Sequence, residues 1–298
     1  MTTPHEVVLD EASVGLRVDR AAQDVFDIAS RARARKMVKR GEILLNAAEV
    51  ETSRFVKAGD RLTLLAPPAP TVVYARDMPV VHLDDDVAVI LKPAGLPVRD
   101  GRLRTVENAL PHVLTQSPLP DALPRPRAVH RLDVRTSGLL LVARTATADV
   151  ALGRAFANRD VQKRYRAVVR GRLEGEGVVD RPIADRAAST RWTAGGHTRS
   201  LHCEWTTTLD LFPLTGRTHQ LRIHCASLGH PILGDDLHTK DGPVLRAAGL
   251  FLFAAGLDFA HPRTGTRLAV TANEPAKFVA YRAREQRRWD AFQARAAT

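Results

Sequence analysis

The chain predicts an α+β fold in two parts, and three observations carry that prediction. Apolar runs of strand length recur along the sequence with few helical stretches between them, which suits a sheet flanked by helices. The run Leu139–Val142 is wholly apolar and short enough for a strand buried on both faces. The stretch Ala66-Pro-Pro-Ala-Pro70 reads as a stiff, extended connector. It separates a small N-terminal domain over residues 13–66 from a larger one over 76–285, with 67–75 as the linker. At 298 residues the chain has ample length for a sizeable core.

In the small domain, Leu16, Val18, Ala22, Val25 and Phe26 predict a first short helix. Ser30 caps a second helix, and Gly41 ends it. Within that helix Ala34, Met37 and Val38 make an apolar stripe. Arg31, Arg35 and Lys39 fall four residues apart on a different stripe. The decapeptide Arg31–Arg40 holds six basic residues and no acid. A charge run of this kind is ordinarily a solvated helix face. Short strands follow at Glu42–Asn46 and Asp60–Leu65, with Gly59-Asp60 as a turn.

In the larger domain, Asp84-Asp85-Asp86, the apolar Val87–Leu91 and Lys92-Pro93-Ala94-Gly95 read as turn, strand, turn. Five prolines between Pro111 and Arg127 predict an irregular loop. It delivers a polar cluster, His130, Arg131 and Asp133, against the apolar run; Thr136, Ser137 and Gly138 join the two. Residues Thr147–Asn158 predict a helix burying Val150, Leu152 and Phe156. Val161–Gly171 runs into a strand that opens with Tyr165, a residue type that commonly packs half-buried there. Strands joined by a Gly195-Gly196 turn are expected between Leu173 and Leu211. Thr218 is the expected cap of a helix running through Leu228 and closed by Gly229. A strand pair turning at His261-Pro262 and a solvated, Arg-rich helix opening at Glu274–Phe278 complete the chain.

Composition narrows the partner. Lys and Arg number 44 against 33 Asp and Glu, a net charge of +11 weighted toward Arg. That favours a polyanion, because guanidinium groups bind phosphates in bidentate fashion. Cys203 and Cys225 form no CxxC pair, so zinc and a disulfide framework are not expected, and both read as buried, reduced thiols. His219 and His224 stand five apart, the wrong spacing for two ligands on one helix face. The first residues show no secretion signal, and no stretch has the apolar length of a membrane span. A cytoplasmic protein without membrane contact is the expectation.

The polar cluster admits a bland reading, a surface turn with a weak local ion pair. A protein kinase loop is excluded, since Leu132 interrupts His-Arg-Asp and neither a Gly-rich loop nor an Asp-Phe-Gly is present. Read whole, HRLDVRTSG followed by an apolar run (130–142) resembles the central motif of the RluA-type pseudouridine synthases, HRLDxxTSG. Three further strings agree with that family. KPAGLPV (92–98) matches its KPxGxxV, and Lys163, Tyr165 and Ala167 match its Lys-x-Tyr-x-Ala. LTGRTHQLRIHCASLGHPILGD (214–235) matches its third motif. One departure is local: Gly234–Lys240 lacks the Tyr-Gly that commonly follows Gly-Asp. In the small domain, SRARARKMVKRGEILLN and KAGDRLTLL resemble the S-four RNA-binding domain, with Ala47 standing where Gly usually follows Asn46.

The resemblance implies a catalytic domain with an antiparallel-rich mixed sheet, flanking helices and a central cleft. It implies an RNA pseudouridine synthase, an isomerase that needs no cofactor and no metal. Asp133 would be the catalytic carboxylate, acting either as nucleophile or as base at the ribose. Arg222 would pair with it and keep it ionised, and Tyr165 would pack on the target uracil. Arg131 would fill the space that an extruded base leaves. His130, Arg217 and Lys163 join Arg131 as expected RNA contacts, though His130 also reads as an orienting or structural group. Lys92 reads as either structural or RNA-contacting. Arg31, Arg35 and Lys39 would meet RNA phosphates through the small domain. The implied substrate is large-subunit ribosomal RNA, with transfer RNA as the alternative; a monomer is the default expectation for the acting form. Two other readings compete, a non-catalytic RNA-binding protein and a hydrolase using His130 and Asp133. The hydrolase lacks a Ser or Cys nucleophile in a recognisable elbow.

Overall fold

The structure, a computed structural model, describes residues 5–26, 28, 30–65, 73–100, 102–239 and 248–296. The chain divides into two compact units, residues 1–71 with 122–125, and residues 72–121 with 126–298. The proline stretch 66–70 lies outside the described residues, as does Lys240.

The first unit runs β1 (His5–Val8), α1 (Val18–Val25), α2 (Arg31–Lys39), β2 (Ile43–Leu45) and β3 (Arg61–Leu64). Its three strands pair antiparallel in the order β1-β3-β2. Ser30 caps α2, its Oγ accepting from the Arg33 N–H at 3.2 Å. Val18, Ala22, Ala34, Val38, Ile43 and Leu62 close the core beneath the two helices. Strand β1 escaped the sequence reading because it is a largely exposed edge strand and carries no buried alternation to read. Asn46 and Ala47 both adopt positive φ, 51° and 64°, the geometry of a two-residue type I′ hairpin turn. Ala47 therefore holds the turn that Gly would make, at a conformational cost of about 1–2 kcal/mol. The Asn46 side chain braces the turn, donating to Asp60 Oδ1 at 2.9 Å and accepting from the Arg61 N–H at 2.8 Å.

Arg31, Arg35 and Lys39 are all exposed on α2. The Arg31 Nε and Nη2 donate to the Asp19 carboxylate at 3.2 and 3.3 Å. Asp19 is buried and also lies 3.8 Å from Arg17 Nε, so its charge is paired and Arg31 joins α2 to α1.

The remaining elements are β4 (Val80–Leu83), β5 (Val87–Lys92), α3 (Val106–Val113), β6 (Ala122–Ala128), β7 (Ser137–Thr145), α4 (Ala146–Asn158) and β8 (Gln162–Arg170). After these come β9 (Glu176–Asp180), β10 (Ser189–Ser200), β11 (Glu204–Pro213), α5 (Gln220–Ser227), β12 (Leu252–Ala260), β13 (Arg267–Thr271) and α6 (Ala276–Ala296). The sheet order is β4-β5-β7-β12-β8-β11-β10-β9, with β6 beside β7 and β13 beside β12. Strands β7 and β12 pair in parallel, within a sheet that is otherwise rich in antiparallel pairs. This is a mixed α+β architecture. Toward one end of the sheet, Ala88, Ile90, Leu140 and Val142 pack under Val106 and Leu110 of α3. Toward the other end, Ala167, Val169, Leu209 and Leu211 pack with Leu221 and Cys225 of α5 and Phe278 of α6. Strand β7 has Leu139, Leu140, Leu141 and Val142 all fully buried.

Several local expectations are corrected. The proline-rich segment is not one loop, for it includes the end of α3, with Pro111 inside the helix, and all of β6. Pro124 and Pro126 stand two apart, so their missing N–H groups lie on one edge of β6, where an edge strand tolerates them. Gly195-Gly196 is not a turn but a bulge inside β10, two residues set against Thr208 between the pairs Ala194–Leu209 and His197–Thr207. Helix α5 starts at Gln220 after His219, whose φ is 56°, so Thr218 does not cap it. Cys203 is only half-buried, whereas Cys225 is buried. Among the described residues no helix is long and apolar enough to cross a membrane.

Candidate active site

Strands β7, β12, β8 and β11 are neighbours in the sheet. The turn entering β7, the start of β8 and the loop leaving β11 all contribute to one open cleft of about 520 Å³, a size typical of pockets that hold one small molecule. Asp133 sits half-buried in the first of these segments, and Tyr165 stands opposite in β8. Burial, with the Asp133 charge adding to it, pushes the Tyr165 phenol above its ordinary value, so Tyr165 stays neutral. The remaining ionisable groups around the cleft are bases: His130, Arg131, Arg159, Lys163 and Arg217.

The backbone around Asp133 is fixed from beneath. The Thr136 N–H donates to Asp133 O at 3.0 Å, and the Gly95 N–H donates to Val134 O at 2.7 Å. Lys92 is 1% exposed. Its Nζ donates to Pro93 O at 2.8 Å, Leu96 O at 2.7 Å and Val134 O at 3.2 Å. Burial pushes the Lys92 ammonium down to about 8, and the nearby Asp133 charge pulls it back up. Lys92 is thus the structural tie between the Lys-Pro turn and the Asp133 turn, not an RNA contact. Thr136 Oγ1 is buried at the cleft wall without a hydrogen-bond partner among the described residues.

His130 also faces inward. Its Nε2 accepts from the Leu141 N–H at 3.0 Å, and its ring stacks on Phe156 with centroids 4.7 Å apart. Burial, with the Lys163 charge adding to it, pushes the imidazole down to about 3. The ring lines the cleft and joins the β7 backbone to α4 as a neutral, orienting group.

A pH dependence follows. The folded value of about 3 lies below the ordinary 6.5, so the unfolded chain binds the extra proton between them. The contribution of His130 to stability is full above about pH 6.5 and is lost as pH falls toward 3. Between pH 7 and pH 5 the loss is about 2 kcal/mol, set by titration of the unfolded imidazole. Urea midpoints should show this loss in the wild type and a smaller one in His130→Gln. Equal losses would show that His130 is protonated in the fold.

Arg222 requires the largest correction. Its Nε and Nη2 donate to the two oxygens of Asp235 at 2.8 and 2.5 Å, and both side chains are buried. No ion pair to Asp133 occurs among the described residues. Burial opposes ionisation of Asp235, but Arg222 outweighs it and holds the carboxyl below the usual range. Asp235 also accepts from the N–H groups of Leu237 and His238. The pair thus anchors the unusual Gly234–Thr239 loop to α5. Arg135 ties the central motif to the same loop, donating from Nη2 to Gly234 O at 2.7 Å and pairing with Asp236.

The loop after β11 is wired by Gln220. Its Oε1 accepts from Thr215 Oγ1 and the Arg217 N–H, and its Nε2 donates to Ser189 O and Thr190 Oγ1, at 2.7–2.9 Å. All four of its hydrogen-bonding positions are filled. Arg217 is further held by Ala187 O at 3.1 Å and reaches the cleft. His224 bonds Thr190 Oγ1 and Arg181 O, while His219 Nδ1 lies 3.1 Å from His238 Nε2. Among the described residues no three His, Cys, Asp or Glu side chains gather as a metal site.

The structure therefore brings Asp133, Tyr165, Arg131, Lys163 and Arg217 to one cleft and leaves Arg222 behind it. Sequence reasoning missed Thr136, Arg159 and Asp235 as parts of the site. Asp235 stood inside a recognised motif, and its role was invisible because its partner had been assigned to another carboxylate.

Residues 86–227 match the RNA pseudouridylate synthase family. The ribosomal large subunit pseudouridine synthase D of Vibrio cholerae is 34% identical over 299 residues, covering 90% of this chain and 91% of the relative. An uncharacterized RNA pseudouridine synthase of Aquifex aeolicus is 32% identical, covering 88% and 91%. Among solved structures, human RNA pseudouridylate synthase domain containing 1 superposes with a TM-score of 0.56 at 26% identity, over 68% of this chain and 85% of that one. Relatives at this identity and coverage, together with the matched span, establish that the chain belongs to the RNA pseudouridylate synthase family, isomerases that act on RNA.

Proposed function

We propose that this protein converts uridine to pseudouridine in large-subunit ribosomal RNA, with Asp133 as the reacting carboxylate. The observation that carries this reading is the placement of Asp133 with Tyr165 in a cleft whose other ionisable side chains are bases. The reaction breaks the bond from the ribose anomeric carbon to the uracil nitrogen, turns the base and joins the same carbon to C5. The proton on C5 is released and the ring nitrogen gains one, so no oxidant or metal is consumed. The chain must supply a carboxylate at the ribose, a surface for the base and cations for the backbone. Asp133 supplies the first and the Tyr165 ring the second, stacking of this kind being worth about 1–3 kcal/mol per base. Arg131, exposed beside Asp133, occupies the space left by the extruded nucleotide. Lys163 and Arg217 meet the backbone.

The first unit serves as an S-four-like RNA-binding domain, with Arg35 and Lys39 on phosphates; the exposed basic face of α2 supports that role. The name of the Vibrio cholerae relative favours ribosomal over transfer RNA. We take a monomer as the acting form.

The test is tritium release from RNA labelled at uridine C5, with ribosomal and transfer RNA fractions assayed separately. Release from ribosomal RNA alone is expected. Release from transfer RNA alone would reassign the substrate, and release from neither, despite salt-sensitive binding, would leave a binding protein.

A further inference from the structure

Helix α4 ends at Arg159 in the left-handed region, with φ 69° and ψ 26°. Helices that end this way usually place Gly or Asn there, because a β-carbon is disfavoured in that region. Arg is a poor choice for the backbone, and a strained residue retained beside a cleft invites a functional explanation. Its neighbourhood supplies one. Arg159 lines the cleft together with Lys163. Lys163 stands two residues before Tyr165 on β8, and therefore on the same face of the strand. Burial lowers the Lys163 ammonium from its ordinary value, and the Arg159 charge adds to the effect. Among the described residues neither cationic group has a hydrogen-bond or ion-pair partner, and Asp133 is the one carboxylate lining the cleft. Two like charges lining one cleft without an ion-pair partner of their own fit an anionic ligand, and on this rim the anion of an RNA strand is its phosphate.

We infer that Arg159, acting with Lys163, binds a backbone phosphate flanking the uridine that enters the cleft, which makes Arg159 a further substrate-positioning residue. The inference rests on the reading of the cleft as an RNA site. The left-handed backbone at the end of α4 turns the chain directly into β8, so the guanidinium is presented at the rim rather than along the helix. Phosphate contacts of this kind fix register without reading sequence.

The test uses Arg159→Gly, which suits the backbone and removes the charge. Binding to a full-length large-subunit ribosomal RNA transcript is measured across a salt series in an Asp133→Asn background, where bound RNA is not converted. Affinity at low salt should fall about tenfold, and the slope of log affinity against log salt should become shallower by about 0.7–0.9, the signature of one lost phosphate contact. The melting temperature should rise by about 2–4 °C as the strain is relieved. With Asp133 intact, KM should rise more than kcat falls. Arg159→Lys should recover most of the affinity, and Arg159→Asn should repeat the shallower slope with a different tolerant residue. A higher melting temperature with unchanged affinity and slope would overturn the inference, as would an affinity loss with an unchanged slope. Wild-type tritium release with a silent Arg159→Gly would overturn this inference alone. No RNA binding and no release by the wild type would overturn the cleft reading with it.

Discussion

Asp133→Asn is expected to fold, bind RNA with near wild-type affinity and release tritium from C5-labelled uridine at least about 10³-fold more slowly, the scale of losing a positioned acid–base or nucleophilic group. The argument is geometric. Asp133 contributes to the turn through its backbone carbonyl, which accepts from Thr136, and the surrounding support comes from Lys92 and Gly95 holding Val134. An amide at position 133 keeps that backbone bond and the side-chain shape. It loses the negative charge and the ability to attack carbon or take a proton. The change has a sign on binding too. Asp133 is the one carboxylate around a cleft of bases, so removing it leaves the cleft more positive, and RNA affinity should hold or rise slightly. A variant that retains release within tenfold would show that another group performs the chemistry. A variant that loses both release and binding would mean the carboxylate is structural. Circular dichroism beside the binding isotherm separates those outcomes.

The site was legible in the sequence wherever its residues were local. The turn at Asp133, the strand at Leu139–Val142 and the partner Tyr165 all lie in short strings whose order survives folding. The Arg222 pairing was not legible, because it depends on which of two carboxylates a long-range loop brings to α5. Asp235, only 13 residues along the chain, is buried with Arg222, and nothing in the string GRTHQLRIH says so. The proline-rich stretch misled for another reason. Proline excludes a central strand but permits an edge, and whether a segment lies at an edge is a property of the whole sheet. Gly195-Gly196 was read as a turn because a pair of glycines serves a turn or a bulge equally well, and only the pairing with Thr208 separates them. Arg159 offered no signal at all, since a helix that stops without glycine looks in sequence like one that has simply run out of apolar stripe.

Gly138→Ala should be the most destabilising single-methyl change in the central motif. Gly138 has φ 122°, a conformation that essentially only glycine adopts. Where β7 and β12 run parallel it stands opposite Ala254. A β-carbon built there would lie 2.4 Å from Ala254 O, 2.5 Å from Ala254 N and 2.8 Å from Ala254 Cα. All three are backbone atoms of a buried strand, so no flexible side chain can move aside and the strands themselves must separate. Overpacking and backbone strain together put the cost at about 3–5 kcal/mol, a large share of the roughly 5–15 kcal/mol that stabilises a typical fold. For a unit of this size the melting temperature should fall by about 10 °C. Ser137→Ala, one residue away on the half-exposed face, is the control and should shift it by no more than about 2 °C. A Gly138→Ala chain that melts like the wild type would mean that β7 and β12 are not in contact at this point. The same contact sets where Asp133 lies, because the turn that carries it ends at Ser137. Surviving folded Gly138→Ala should therefore lose activity well below its melting temperature, the strand displacement passing up the chain to the carboxylate. The Ser-Gly that closes the motif is in this sense part of the catalytic geometry, although neither side chain reaches the substrate.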